Sequence, residues 1–213
     1  RKEFQVGGGL VAATVSFTAI GLIELWLNGQ RVGDELLVPG WTEYADRVRV
    51  STFDVTAQLV LGANALGAIL GEGWAVGSMG FTRVNHVWND RALGFVQLEL
   101  QYSDRTEVIG SDDSWRLGGG AIVFDSIYDG ETYDARLYPH GWDRPGFDDS
   151  AWAAAEVADW DLGTLFVTDA PPVREIELLP VREVIRTAAG RTVLDFGQNF
   201  AGWVRFTLDA PAG

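Results

Sequence analysis

Val11-Ala12-Ala13-Thr14-Val15-Ser16-Phe17-Thr18-Ala19 is followed, after a two-residue break, by Leu22-Ile23-Glu24-Leu25-Trp26-Leu27-Asn28-Gly29. In the first run Val11, Ala13, Val15, Phe17 and Ala19 alternate with Ala12, Thr14, Ser16 and Thr18. Successive side chains of an extended chain point to opposite faces, so a period of two marks a strand with one face on a core. The second run is closed by Asn28-Gly29, a dipeptide that supplies the two positive φ values of a type I′ hairpin turn. Gln30, Arg31 and Val32 are then the start of the returning strand.

The same reading extends along the chain. Pro39-Gly40-Trp41 opens a long connection to a strand near residues 47–53. Asp54-Val55-Thr56 reads as a helical turn with Asp54 as its N-cap, ended by Gly62-Ala63-Asn64. Residues 65–70 are apolar on both faces, which suits a central strand. Residues 71–90 are rich in Gly and Asn and read as a long surface loop. Beyond it Val96, Leu98 and Leu100 alternate with Gln97, Glu99 and Gln101, the pattern of a half-exposed antiparallel strand. Residues 106–109 and 121–127 add two more. Asp112-Asp113-Ser114-Trp115 and Asp148-Asp149-Ser150-Ala151-Trp152 echo each other. Both read as turns in which Asp and Ser hold the backbone while Trp plugs the core.

No amphipathic helix of useful length is visible, which argues against a doubly wound α/β fold. The expectation is an all-β chain: an antiparallel, jelly-roll-like β-sandwich of the galactose-binding-like kind over residues 1–170. Ala170-Pro171-Pro172 cannot continue a ladder and marks the boundary. Strand-like pieces follow at residues 173–178, 181–186, 192–196 and 203–208. Roughly forty residues with about four strands are too few for an independent sandwich, so residues 171–213 read as the truncated beginning of a second β-domain.

Composition narrows the function classes. The chain is 47% hydrophobic and 12% aromatic, enough to build a core. Nine Trp residues suit a sugar-binding surface, although most such rings are expected in the core. Thirty acidic residues against sixteen basic give a net charge of −14, which argues against a nucleic-acid partner. The absence of Cys removes disulfides, thiolate nucleophiles and Cys-bound zinc and leaves the compartment undecided. There is no apolar run of membrane-span length and no signal peptide. Arg1 is not an initiator Met, so something is expected to have preceded it. His86 and His140 are the only histidines, too few for a His-rich zinc site. Gly7-Gly8-Gly9 is followed by a strand pattern and lacks a downstream Lys and helix, so it is a turn rather than a phosphate loop.

Five segments in order resemble a known family. They are residues 21–29 (GLIELWLNG), 39–44 (PGWTEY), 71–74 (GEGW), 129–136 (DGETYDAR) and 195–203 (DFGQNFAGW). Together the chain is similar to bacterial α-L-rhamnosidases of glycoside hydrolase family 78. The resemblance places the first four segments in the family's N-terminal β-sandwich and the fifth in the β-domain that follows. It implies inverting chemistry by paired carboxylates in an (α/α)6 barrel downstream, and no such helical sequence is present here. The implied function is a non-catalytic module, inactive alone, that serves as scaffold and weak L-rhamnose binder. The implied partners are a rhamnose-containing saccharide and the downstream catalytic domain, with neither nucleic acid nor membrane. A free-standing carbohydrate-binding or adhesive β-protein is the alternative, against which residues 195–203 argue. A self-contained small hydrolase is disfavoured by the missing acid/base pair.

Two clusters are candidate sites. Residues 71–90 carry Trp74, Asn85, Trp88, Asn89 and Asp90, and Asp46 can approach from the neighbouring connection. Trp offers a flat face to the C–H side of a sugar, and Asn and Asp bond its hydroxyls. Asp46, Trp74, Asn85, Trp88 and Asn89 are thus candidate carbohydrate-binding residues. Asn89 and Asp90 are candidate calcium ligands, in line with the calcium-assisted rhamnose binding known for some family sandwiches; no cofactor is otherwise required. An ordinary loop with its Trp rings packed down is the competing reading. Asp129, Glu131, Asp134 and Arg136 form the second cluster. On a strand Asp129 and Glu131 share one face and Asp134 takes the other, where Arg136 can pair with it. A polar surface or an interdomain face fits this cluster better than catalysis does.

Overall fold

A computed structural model describes residues 1–207 and 209. The strands in chain order are β1 (Lys2–Val6), β2 (Leu10–Ile20), β3 (Leu22–Leu27), β4 (Gln30–Arg31), β5 (Val48–Arg49), β6 (Ser51–Asp54), β7 (Gly62–Gly71), β8 (Leu93–Tyr102) and β9 (Thr106–Gly110). After them come β10 (Arg116–Leu117), β11 (Ile122–Ser126), β12 (Gly130–Tyr133), β13 (Ala153–Ala154), β14 (Leu165–Phe166), β15 (Glu183–Arg186) and β16 (Thr192–Asp195).

Two four-stranded sheets, ordered β1-β7-β3-β4 and β6-β2-β8-β9, form the sandwich. Every pairing within them is antiparallel. The chain passes repeatedly between the sheets, as in a jelly roll. The alternating residues explain the core. Ala13, Val15, Phe17 and Ala19 of β2 meet Val96, Leu98 and Leu100 of β8, together with Ile23, Leu25 and Leu27 of β3 and Leu66 of β7. In the β2–β8 ladder Val15 lies opposite Leu98 and Phe17 opposite Val96, so the inward residues are also cross-strand neighbours. Val11 breaks the pattern and is 64% exposed. The ladder shifts register between Leu10 and Ala12, and such a bulge re-aims the residue it contains.

The Asn28-Gly29 turn forms with φ of 53° and 81°. Asn28 does more than bend the chain. Its Nδ2 donates to the Gln58 carbonyl at 2.9 Å and to Asn64 Oδ1 at 2.7 Å, and its Oδ1 accepts from the Ala65 N–H at 2.9 Å. The hairpin is thereby tied to the start of β7. Further along β7, a Cβ on Gly67 would lie 2.4 Å from the Trp142 ring. The missing side chain lets that buried ring lie against the strand.

Several local expectations are corrected. Asp54 does not occupy the N-cap. The 3-10 turn covers Thr56–Gln58 with Val55 in the cap position, and Asp54 instead accepts the Thr56 N–H at 2.9 Å. The central strand starts at Gly62, three residues early. Residues 71–90 are not irregular throughout: β7 runs to Gly71, helix α1 spans Gly73–Val76, and Met79 bridges Val84. Ala75 and Val76 fill a second, smaller core with Ile20, Tyr44 and Val48, a demand made by distant residues. The two echoing turns also diverge. Trp115 is buried in the main core. Trp152 is half-buried, set edge-on to Phe147 at 5.4 Å. The strands that follow the two turns, β10 and β13, pair with each other. Of the nine Trp residues only Trp115 and Trp142 are fully buried, while Trp41 and Trp203 are exposed.

The chain divides into two compact units, Arg1–Arg174 and Glu175–Gly213. In the second, β15 and β16 form an antiparallel hairpin, and the Asp195 carboxylate accepts the Gly197 N–H at 2.7 Å. Among the described residues, the strands expected at 173–178 and from 203 onward do not form. Val173 makes one bridge to Leu36, residues 203–207 have no regular structure, and Leu208 lies outside the described residues.

Candidate functional site

The connection after Pro39 is rooted by Tyr44, which is fully buried and donates its hydroxyl to the Gly40 carbonyl at 2.7 Å. Burial pushes its phenol well above the ordinary tyrosine range, so it stays neutral at any working pH. Trp88 stands edge-on to Tyr44, ring centres 5.2 Å apart at 67°. Its indole N–H donates to the Glu43 carboxylate. The backbone behind it is laced to α1, with the His86 N–H on the Val76 carbonyl at 2.9 Å and the Trp88 N–H on the Ala75 carbonyl at 3.3 Å. Trp88 is therefore fixed from both sides and half-buried.

The other candidates scatter around this anchor. Asp46 is exposed on the same turn, where the Asp46 and Arg47 N–H groups both donate to the Glu43 carbonyl. Arg47 stacks over Phe166 at 4.4 Å. Trp74 is half-buried on α1. Asn85 is bonded to the Ser78 hydroxyl at 2.9 Å. Asn89 spends its Nδ2 on the Arg91 carbonyl at 2.7 Å, and Asp90 is exposed. The structure thus joins Trp88 to the turn that carries Asp46, and it ties Asn85 and Asn89 locally. Among the described residues no three Asp, Glu or His side chains gather as a metal cluster. Asn89 and Asp90 alone do not make a calcium cage, which takes six to eight oxygens.

Two residues were missed by sequence reasoning. Glu43 lies in the PGWTEY segment at residues 39–44, and it holds the Trp88 indole. Trp41 precedes it by two positions and is 59% exposed, a more open ring than either predicted one. Neither role has a sequence signal beyond proximity to Asp46.

The second cluster is a hairpin of β11 and β12. Because β12 covers only Gly130–Tyr133, the expected strand faces do not apply to Asp129 and Asp134. Asp129 lies in the turn, accepting from Arg83 at 2.8 Å and from the Ser126 hydroxyl at 3.2 Å. Glu131 is exposed and faces Asp125 across the ladder. Asp134 caps the 3-10 turn Ala135–Leu137 and takes a forked ion pair from Arg136 at 2.8 and 2.6 Å. The Arg136 guanidinium, with its backbone N–H, holds the Asp134 carboxyl below the usual carboxylate range.

Comparison with known proteins places these features. The model of the family described as "Alpha-L-rhamnosidase N-terminal domain" matches residues 9–177. That of the "Bacterial alpha-L-rhamnosidase concanavalin-like domain" matches residues 185–213. An α-L-rhamnosidase of Streptomyces avermitilis is 44% identical over the whole chain, which covers 21% of that protein. One of Formosa agariphila is 34% identical, with 23% of its length covered. Among solved structures, native α-L-rhamnosidase from Aspergillus terreus superposes with a TM-score of 0.90 at 40% identity, over 93% of this chain and 23% of that one. The Streptomyces avermitilis α-L-rhamnosidase complexed with L-rhamnose gives 0.86 at 42% identity, over 92% and 19%. The chain spans about a fifth of the length of these relatives.

Proposed function

The chain belongs to the α-L-rhamnosidase family through its N-terminal domain, and from that membership we propose that it is a non-catalytic module of a longer α-L-rhamnoside hydrolase. In this reading the sandwich is a scaffold beside a catalytic part and a weak binder of L-rhamnose. The observation that carries it is the state of the carboxylates at residues 129–136. A glycosidase needs one carboxyl as acid and one as base or nucleophile, flanking a single bond. Arg136 holds the Asp134 carboxyl below the usual carboxylate range, and Asp129 is engaged by Arg83 and Ser126, so both carboxylates are already taken up by other side chains. Asp129, Glu131, Asp134 and Arg136 belong instead to a face that meets another part of the full-length enzyme.

The sugar comes from the Streptomyces avermitilis relative, whose structure was solved with L-rhamnose. Here the proposed contacts are Asp46, Trp74, Asn85, Trp88 and Asn89, with the open ring of Trp41 beside them. Affinity on the order of 0.1–1 mM is expected, because few groups meet a small exposed ligand. Calcium at Asn89 and Asp90 is part of the same proposal, and two side-chain donors leave most of its coordination to backbone carbonyls and water.

The experiment is a titration of the chain with L-rhamnose, followed by amide shifts, with and without chelator. Saturable shifts at residues 41–47 and 71–90 are expected, together with no release of rhamnose from an aryl rhamnoside. Shifts unchanged by chelator remove calcium from the reading. No shift at any sugar concentration leaves a scaffold only. Turnover abolished by a mutation within the chain would overturn the non-catalytic assignment.

A further inference from the structure

Two segments far apart in sequence interlock on the surface of the first unit. The bridge between Met79 and Val84 closes a small loop, and its tip sits on the β11–β12 turn. The Gly80 N–H donates to the Tyr128 hydroxyl at 3.3 Å. The Arg83 guanidinium lies 4.7 Å over the Tyr128 ring and pairs with Asp129 at 2.8 Å. Near the same turn, Asp125 of β11 accepts the Glu72 N–H at 2.9 Å. These polar contacts fix the hairpin and the loop as one body.

What that body presents outward is apolar. Asp125 reaches back toward the Gly71–Glu72 corner, so alternation turns its neighbour Phe124 to the opposite face. Phe124 is 49% exposed, Val123 55%, Val84 53%, and Phe81 at the loop tip is fully exposed. A two-stranded hairpin open to water is marginal, and monomeric proteins rarely leave large contiguous apolar patches uncovered.

We propose that this hairpin-and-loop surface docks the remaining polypeptide of a full-length α-L-rhamnosidase through its apolar face. The inference rests on the reading of the chain as a module of such an enzyme. The length of the relatives supports this occupant, because about four-fifths of each lies outside the stretch matched here. Pinned polar contacts beneath exposed aromatic rings are what a preorganised interface needs, since little ordering remains to be lost on contact.

Hydroxyl-radical footprinting of the chain and of the full-length enzyme tests it. In the full-length enzyme Phe81 and Phe124 are expected to be modified about tenfold more slowly than in the chain, as protected side chains are, while exposed Leu61 and Val108 on other surfaces keep their rates. Equal rates in the two proteins overturn the proposal. Protection that disappears on dilution through a dimer–monomer transition assigns the surface to a second copy and overturns it as well. Rhamnose release by the full-length enzyme reports separately on the parent reading. Activity with unprotected rings sinks the docking surface alone, whereas an inactive full-length protein sinks the parentage.

Discussion

Among the aspartates that accept the backbone N–H two residues on, four stand out: Asp54 takes it from Thr56 at 2.9 Å, Asp112 from Ser114 at 3.0 Å, and Asp134 and Asp148 from Arg136 and Ser150, both at 3.1 Å. Hydrogen bonds hold all four carboxyls below their usual range, the strongest contribution at Asp112 coming from the Lys2 ammonium and the next from Ser114. A folded-state pKa below the unfolded value of about 3.9 stabilises the fold fully above pH ~4. That stabilisation is lost as pH falls through the depressed values. Asp112→Asn keeps the turn geometry and removes the charge. It is expected to be less stable than the parent at neutral pH, and the gap should close near pH ~2. A denaturation midpoint difference that is the same at both pH values would refute this. The turns at Asp112 and Asp148 were readable in the sequence because the bond is local. The Lys2 partner was not, since 110 positions separate it from Asp112.

At the scale of elements, β7 shows how a strand can be legible while its role is hidden. Its apolar run marks a central strand, and it does lie between β1 and β3. Nothing local shows that Gly67 is the seat of Trp142. Gly67→Ala would put a methyl carbon 2.4 Å from that ring and force it outward. A loss of about 1–3 kcal/mol is expected, the usual cost of overpacking a core, with a red-shifted tryptophan emission. An unchanged spectrum and midpoint would mean that the ring can slide at no cost. The helix α1 teaches the same lesson. Gly73-Trp74-Ala75-Val76 has no helical signal of its own, and the second core around Tyr44 calls for it.

For the whole molecule, the two compact units differ in what they can bury. The first has eight strands in two facing sheets and a continuous core. Among its described residues the second has one hairpin, whose Val184, Val193 and Leu194 are exposed. Native-state hydrogen exchange is expected to be at least about tenfold faster in β15 and β16 than in β2 and β8, because local opening is cheap where little apolar surface is buried. Comparable protection in both would show that the second unit is stabilised as well as the first. The proposed boundary at residues 170–172 predicts that the change in protection falls between Phe166 and Glu183.

By itself the sequence determined the main strands of the sandwich, their inward faces and the type I′ hairpin, because side-chain alternation and turn chemistry are settled within a few residues. It also carried the family, through five short segments whose resemblance agrees with the family model over residues 9–177. The tertiary structure alone decided the sheet order, the separate fates of Trp115 and Trp152, the Glu43 hold on Trp88 and the seating of the residue 80–83 loop on the β11–β12 turn. Each of these depends on residues tens of positions apart meeting in space, and no local pattern encodes which distant surface a side chain will find.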